Sequence, residues 1–146
     1  MNLKIRKINE NDFESLYKLL SNTDVMRFLE KPFDRKKTML FLKETGMSEP
    51  PLIYAVDKEN VFIGYVIFHE YDDVSYEIGW VLFPQYWGKG YASYLTELMI
   101  EKVFRMDRQV VIECDPNQKA TKQIALKFDF VYKGTKDGLE IYRLEK

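Results

Sequence analysis

Residues 77–92 read Glu77-Ile78-Gly79-Trp80-Val81-Leu82-Phe83-Pro84-Gln85-Tyr86-Trp87-Gly88-Lys89-Gly90-Tyr91-Ala92. Tyr76–Phe83 is a β-rich run, and Pro84 stops it because proline cannot continue a ladder. The far end opens a helix over Tyr91–Arg105 that puts Ala92, Leu95, Met99 and Val103 on one face. Between them, Gly88 and Gly90 permit a tight turn and a close approach of the backbone to a ligand. A helix start presents unpaired N–H groups and a positive dipole end, so strand, loop and helix together suit a phosphate or pyrophosphate, with Lys89 adding a charge. Spacing alone also allows a plain tight turn.

Two nucleotide-binding loops are tested against this stretch. A P-loop requires G-x-x-x-x-G-K-[ST], which the chain lacks. A Rossmann loop requires G-x-G-x-x-G, and its third position is Ser93; Glu113 or Asp115 would have to act as the ribose-binding acid. The strands upstream read as hairpin-linked rather than crossed over. A dinucleotide-dependent oxidoreductase is therefore the weaker reading.

Working outward, Leu52–Val56 and Val61–Phe68 flank Asp57–Asn60 as a hairpin. Residues 3–8 alternate apolar and basic, as a half-exposed strand does. Asn11 is expected to cap a helix in which Phe13, Leu16, Tyr17 and Leu20 share a face, with Glu14 as the capping-box acid. Short helices are expected over Asp24–Leu29, closed by Pro32, and over Asp34–Glu44, with Gly46 as C′. Downstream, strand Gln109–Cys114 leads to helix Gln118–Phe128, with Ala120, Ile124 and Phe128 one turn apart. Phe130–Lys133 and Leu139–Leu144 flank the turn signal Lys136-Asp137-Gly138. The order β-α-α-α-β-β-β-α-β-α-β-β predicts an α+β (mixed α/β) fold around one central sheet. No repeat or Pro/Gly linker divides the chain, so 1–146 is expected to be a single domain.

Composition narrows the function classes. Lys and Arg number 22 against 23 Asp and Glu, a net charge of −1 that argues against a general nucleic-acid binder. No apolar stretch reaches the roughly 20 residues of a membrane span, and MNLKIRKINE lacks the apolar core of a signal peptide. A lone Cys114 makes no internal disulfide, and a lone His69 builds no His-rich metal site. The expectation is a cytoplasmic, metal-free protein without nucleic-acid or membrane partners.

Gln85-x-x-Gly88-x-Gly90 resembles the [QR]-x-x-G-x-[GA] acetyl-CoA loop of the GNAT superfamily of N-acetyltransferases. The full 77–92 string is similar to the branch that includes the ribosomal-protein N-terminal (alanine) acetyltransferases, as are Leu20–Leu29 and Asp115–Thr121. The resemblance implies a curved, mostly antiparallel central sheet with helices on both faces. Its fourth and fifth strands, Tyr76–Phe83 and Gln109–Cys114, would splay to admit pantetheine. Backbone groups of Val81, Leu82 and Phe83 would hold pantetheine, and N–H groups from Gln85 through Gly88, Lys89, Gly90, Tyr91 and Ala92 would hold the pyrophosphate. Asn117, Gln118 and Thr121 are implied as further cofactor-binding positions, with acetyl-CoA as co-substrate and no metal. Gln118 stands where the family usually has Asn, Thr121 where it has Ser, and Asp129 where it has Gly, so that helix end is expected to be built differently. No tyrosine lies between Gln118 and Phe128 to protonate a departing thiolate, which leaves Thr121, a water or no group in that role.

Direct acetyl transfer requires a neutral amine, a site for the oxyanion and help for the leaving thiolate. A backbone N–H near Leu82 is the expected oxyanion donor. Glu77 is the candidate base, because it shares a face with Gly79 and Val81, and a carboxylate among apolar neighbours holds a proton more readily. A glutamate paired across the sheet with a lysine is the bland alternative. His69, beside Glu70, Asp72 and Asp73, reads as a solvated histidine at a strand end, although a pKa of about 6.5 suits proton transfer. Cys114 reads as a packed small hydrophobe, and Tyr86-Trp87 and Tyr91 with Tyr94 as packing. Lys89, Lys119 and Lys122 are candidates for the CoA phosphates or solvated charges.

The resemblance implies a transferase, an acyltransferase moving acetyl from CoA to a primary amine of a protein N-terminus or small molecule. An acyl-CoA-binding sensor or interaction module without turnover is the alternative. Exposed edge strands in such a sheet leave room for a homodimer.

Overall fold

A computed structural model describes residues 1–146. Its elements are β1 (Leu3–Arg6), α1 (Phe13–Leu20), α2 (Thr23–Met26), α3 (Arg35–Phe41), β2 (Ile53–Lys58), β3 (Val61–Asp72) and β4 (Ser75–Leu82), then α4 (Tyr91–Arg105), β5 (Gln109–Cys114), α5 (Lys119–Lys127), β6 (Val131–Lys136) and β7 (Leu139–Leu144). This is the predicted order. One seven-stranded sheet runs β1-β2-β3-β4-β5-β7-β6. Every neighbouring pair is antiparallel except β4 and β5. Hairpins therefore link β2, β3 and β4, and the doubly wound parallel sheet of a dinucleotide fold is absent.

Local chemistry accounts for most of these elements. The β6–β7 turn places Asp137 and Gly138 at positive φ, as a tight hairpin with the sheet's twist requires. At the start of the first helical segment the cap is Asn9 rather than Asn11. The Asn9 side chain accepts from Asn11 N–H at 2.9 Å, and Asp12 accepts from Asn9 N–H at 2.9 Å. Glu14 is free of capping and pairs with Arg35 instead. Gly46 is not a left-handed C′ residue; it closes a π turn at Leu42–Gly46 and packs on Ile8. Asp129 fills the usual glycine position after α5 at a φ of 68°, a left-handed conformation that Asp tolerates better than most residues. That helix therefore ends in the geometry a glycine would provide.

The sheet has a core on each face. Ile78, Leu82, Leu95, Met99, Val103 and Ile112 are buried between the sheet and α4/α5. Leu16, Leu19, Leu42, Ile53, Ala55 and Val81 are buried beneath α1–α3. Helix α5 departs from the expected face: it buries Thr121 and Ala125, not Ala120 and Ile124. Cys114 is buried in the first core, and burial pushes its thiol pKa up to about 11, which makes it a packing residue.

The feature that organises the molecule is a break between β4 and β5. They pair only at Ser75–Gln109, Tyr76–Val110 and Glu77–Val111. Beyond that point β4 continues along β3 to Leu82, while β5 stays paired on its other edge with β7 as far as Cys114. A wedge opens between them, with the starts of α4 and α5 at its mouth.

Candidate active site

The wedge holds a cavity of about 470 Å³. Trp80, Val81 and Leu82 line it from β4, Tyr86, Trp87, Gly88 and Gly90 from the loop, and Tyr91, Ala92 and Ser93 from α4. Gln118, Lys119, Ala120, Thr121 and Ile124 line it from α5, with Asp24, Arg27 and Phe28 contributed by the α2 region. Ala120 and Ile124 of the α5 apolar stripe thus face the cavity, while Phe128 packs on the core.

Strand geometry decides which backbone groups of β4 reach the wedge. Phe83 N–H donates to Ile63 O at 3.0 Å, and Gly64 stands opposite Leu82. In an antiparallel ladder the bonding alternates, so Val81 and Phe83 spend their polar groups on β3, whereas Ile78, Trp80 and Leu82 turn theirs toward the gap. Of the three residues expected to hold pantetheine, Leu82 alone offers its N–H to the wedge. Trp80, which periodicity marks only as a strand residue, does the same. The Leu82 carbonyl accepts the Trp87 indole N–H at 2.9 Å, tying the loop to the end of the strand.

At the loop, Gly88 has φ 69° and Gly90 φ 84°, and a Cβ at Gly88 would stand in open space. Gly90 is the N-cap of α4, and the helix's first bond runs from Tyr94 N–H to Gly90 O. Tyr91, Ala92 and Ser93 N–H therefore have no intrahelical acceptor and point at the cavity mouth. Free donors, a helix dipole and open space beside Gly88 fit an anionic pyrophosphate. Gln85 and Lys89 are exposed and lie outside the cavity lining.

Beyond β5, Asp115 accepts from Asn117 N–H at 2.8 Å, and Asn117 is exposed and lies outside the cavity lining. Gln118 lines the cavity, its Oε1 accepting from Asp115 N–H at 3.3 Å. Thr121 lines the cavity from a nearly buried position. Lys122 is engaged elsewhere, 3.1 Å from Glu140, whereas Lys119 lines the cavity. Tyr86 and Tyr91 pack their rings at 6.0 Å as part of the wall.

Glu77 lies outside the cavity lining, where the wedge closes, at the last β4 position paired with β5 and on the face shared with Val81. It does not stand among apolar neighbours. Its Oε1 is 3.3 Å from His69 Nε2, directly across the ladder. Strand β3 runs to Asp72, so His69 lies inside a strand and half-buried rather than at a solvated end. The Glu77 hydrogen bond raises the His69 pKa against the opposing effect of burial. On the same face, Tyr71 donates to Glu113 at 2.6 Å, which pushes the phenol up to about 12. Asp72 is an ordered hub rather than a loose acidic turn. Ser75 donates to it at 2.6 Å and Arg143 at 2.9 Å, and these bonds hold its carboxyl down at about 2.

No group of three His, Cys, Asp or Glu is placed to hold a metal ion, and no helix is long and apolar enough to cross a membrane.

Comparison with known proteins agrees with this geometry. Residues 2–131 match the acetyltransferase (GNAT) domain. A Bacillus subtilis (strain 168) protein described as the uncharacterized N-acetyltransferase YnaD is 27% identical over 140 residues, covering 90% of this chain and 82% of its own. A GNAT-family acetyltransferase structure from Bacillus anthracis is 26% identical, with a TM-score of 0.84 over 99% of this chain and 93% of that one. A Salmonella typhimurium acetyltransferase that modifies the N-terminal serine of ribosomal protein L7/L12 shares the fold at 20% identity, with a TM-score of 0.81 over 100% and 96% of the two chains. The wedge, the loop and the match across nearly the whole sequence have one conclusion: this chain belongs to the GNAT family and is an N-acetyltransferase.

Proposed function

We propose that residues 1–146 act as one catalytic domain that moves acetyl directly from acetyl-CoA, bound in the β4/β5 wedge, to a primary amine of a protein N-terminus or small molecule. The observation that carries this reading is the wedge itself, where the free Trp80 and Leu82 amides meet the unpaired N–H groups of Tyr91, Ala92 and Ser93. Acetyl-CoA supplies an activated acyl carbon; the chain supplies position, charge and a proton acceptor.

In this reading the Leu82 N–H donates to the oxyanion that develops on the acetyl carbonyl, and the loop and α4 hold the pyrophosphate. Glu77 takes the proton from the incoming ammonium group. Thr121, from the opposite wall, is the hydroxyl assigned to the departing sulfur, because α5 carries Ala125 and no tyrosine on its inner side. Gln118 and Lys119 border the cofactor at the mouth.

The test is a thiol-release assay over peptides with free N-termini, lysine-like amines and polyamines, with the product identified by mass spectrometry. Turnover yielding equal amounts of CoA and acetylated amine is expected. Tight CoA binding with only background hydrolysis across the panel would sink direct transfer and leave a binding module.

A further inference from the structure

His69 Nδ1 lies 2.9 Å from the carbonyl oxygen of Glu70. A carbonyl only accepts, so Nδ1 carries a hydrogen. That leaves Nε2 facing Glu77 Oε1 at 3.3 Å. If the imidazole were neutral and the carboxylate ionised, two lone pairs would oppose each other. The contact is favourable only with a proton between them.

The two side chains are half-buried cross-strand partners, next to the point where β4 and β5 separate. We propose that Glu77 and His69 hold one proton jointly and act as a single unit, with His69 the positioning residue that decides when Glu77 can take the acceptor's proton. This rests on the reading of Glu77 as the base and adds His69 to it.

The surroundings favour a loaded pair. Glu113 of β5, held by Tyr71 of β3, adds negative potential at the imidazole. Glu70, on the same strand as His69, has Arg108 at 3.8 Å. Arg143 of β7 is engaged by Asp72 at 2.9 Å and by Gln109 at 2.8 Å. The His69 pKa is raised accordingly, chiefly by Glu77.

The proton balance closes. Once the pair has lost its stored proton to solvent, Glu77 accepts one proton from the acceptor's ammonium. The neutral nitrogen bonds to the acetyl carbon as the carbon–sulfur bond breaks. The nitrogen's second proton ends on the thiol, and the pair returns the first to solvent.

His69 is the only histidine, so its ring signals in ¹⁵N-labelled protein are assigned without ambiguity. In the free enzyme its titration midpoint should lie above about 6.5. At high pH the ring should hold its hydrogen on Nδ1. In Glu77→Gln the midpoint should fall back by about one unit. A midpoint at or below the ordinary value, a hydrogen on Nε2 at high pH, or an unmoved midpoint in the variant would each overturn the pairing.

The second arm follows kcat against pH, using the amine of the panel with the highest turnover. The acid limb should move to lower pH by about one unit in His69→Gln, whose amide can still donate to Glu77. His69→Asn, checked with it for cooperative melting, guards against a variant that does not fold. A correct titration with an unmoved limb would overturn the role of His69 while leaving acetyl transfer intact. If no amine is turned over, it is the reading of direct acetyl transfer that fails, and the ring titration still decides the pair.

Discussion

Trp87 donates its indole N–H to the carbonyl of Leu82 at 2.9 Å, so one side chain of the glycine loop fixes the end of the strand that faces the wedge. The bond occupies the Leu82 carbonyl and leaves the N–H free for the substrate side. It also ties the end of β4, with its free Leu82 amide, to the glycine loop, a separate element. Trp87→Phe keeps the ring and removes the bond. Acetyl-CoA affinity measured by calorimetry should fall by about 1 kcal/mol, roughly fivefold. Because Trp87 is about half exposed (49%), the melting temperature should change little. Unaltered affinity would mean that the loop keeps its place without this bond.

Gly88 offers a cleaner test of the loop than Gly90. A Cβ at Gly88 meets nothing within 4 Å, whereas at Gly90 it meets Met1 Cε at 3.4 Å. Both residues have positive φ, so either substitution costs on the order of 1 kcal/mol in backbone strain. Beyond that common cost, Gly88→Val places its side chain only where a ligand would lie. CoA affinity should drop by tenfold or more, on the order of 1.4 kcal/mol, while unfolding remains cooperative. Retained affinity in a folded Gly88→Val protein would remove the loop from the cofactor site.

The weight on Glu77 depends on the acceptor. Neutralising a lysine-like amine of pKa about 10.4 at pH 7 costs roughly 4.6 kcal/mol, against about 1.4 kcal/mol for an α-amine near 8. Glu77→Gln should therefore lower kcat more for lysine-like or polyamine acceptors than for peptide N-termini, with partial recovery at high pH. CoA binding should be nearly unchanged. Full kcat from pH 6 to 9 would make Glu77 structural.

Thr121→Val conserves volume and removes only the hydroxyl. If that hydroxyl protonates the leaving sulfur, kcat should fall about tenfold or more with CoA affinity held. Equal kcat in wild type and variant would assign the proton to water.

Far from the wedge, Arg6 joins β1 to β2 and to the turn before α1. Its guanidinium lies 2.8 Å from Asp12 and 2.7 Å from Asp57, and both carboxylates are largely buried. Arg6→Ala would leave two uncompensated carboxylates and should cost about 3 kcal/mol in chemical denaturation. Burial alone would raise the Asp12 pKa, but its bonds with Arg6 and the Asn9 amide outweigh that and lower it. The stabilisation is therefore complete above an unfolded value of about 4 and fades as pH falls through the lower folded one. The variant should lose that acid-side slope, and a parallel slope would refute the assignment.

The same linkage at His69 has the opposite sign. A raised folded pKa contributes stability below about 6.5 that is lost as pH rises through the folded value. Glu77→Gln should flatten this loss on the neutral-to-alkaline side of the melting curve against pH. A wild-type curve indistinguishable from that of the variant would exclude the linkage.

What the sequence by itself determined was local. Pro84 ends a strand because it has no N–H to give, and Gly88 and Gly90 take positive φ where other residues are strained. Asp137-Gly138 turns a hairpin, and the period of α4 buries Leu95, Met99 and Val103. Those rules act within a few residues, and the 77–92 string joins several of them in a pattern whose resemblance to the GNAT loop implied the wedge. The tertiary structure alone decided which side chains meet. The apolar stripe of α5 could face a core or a ligand cavity, since periodicity reports only that a face is apolar; packing turned Ala120 and Ile124 to the cavity and Phe128 to the core. Ladder alternation, not residue type, aimed Leu82 and Trp80 at the wedge and spent Val81 and Phe83 on β3. Register set His69 against Glu77, and sheet order brought Asp57 to Arg6, because the pairing of distant strands depends on the whole sheet closing at once.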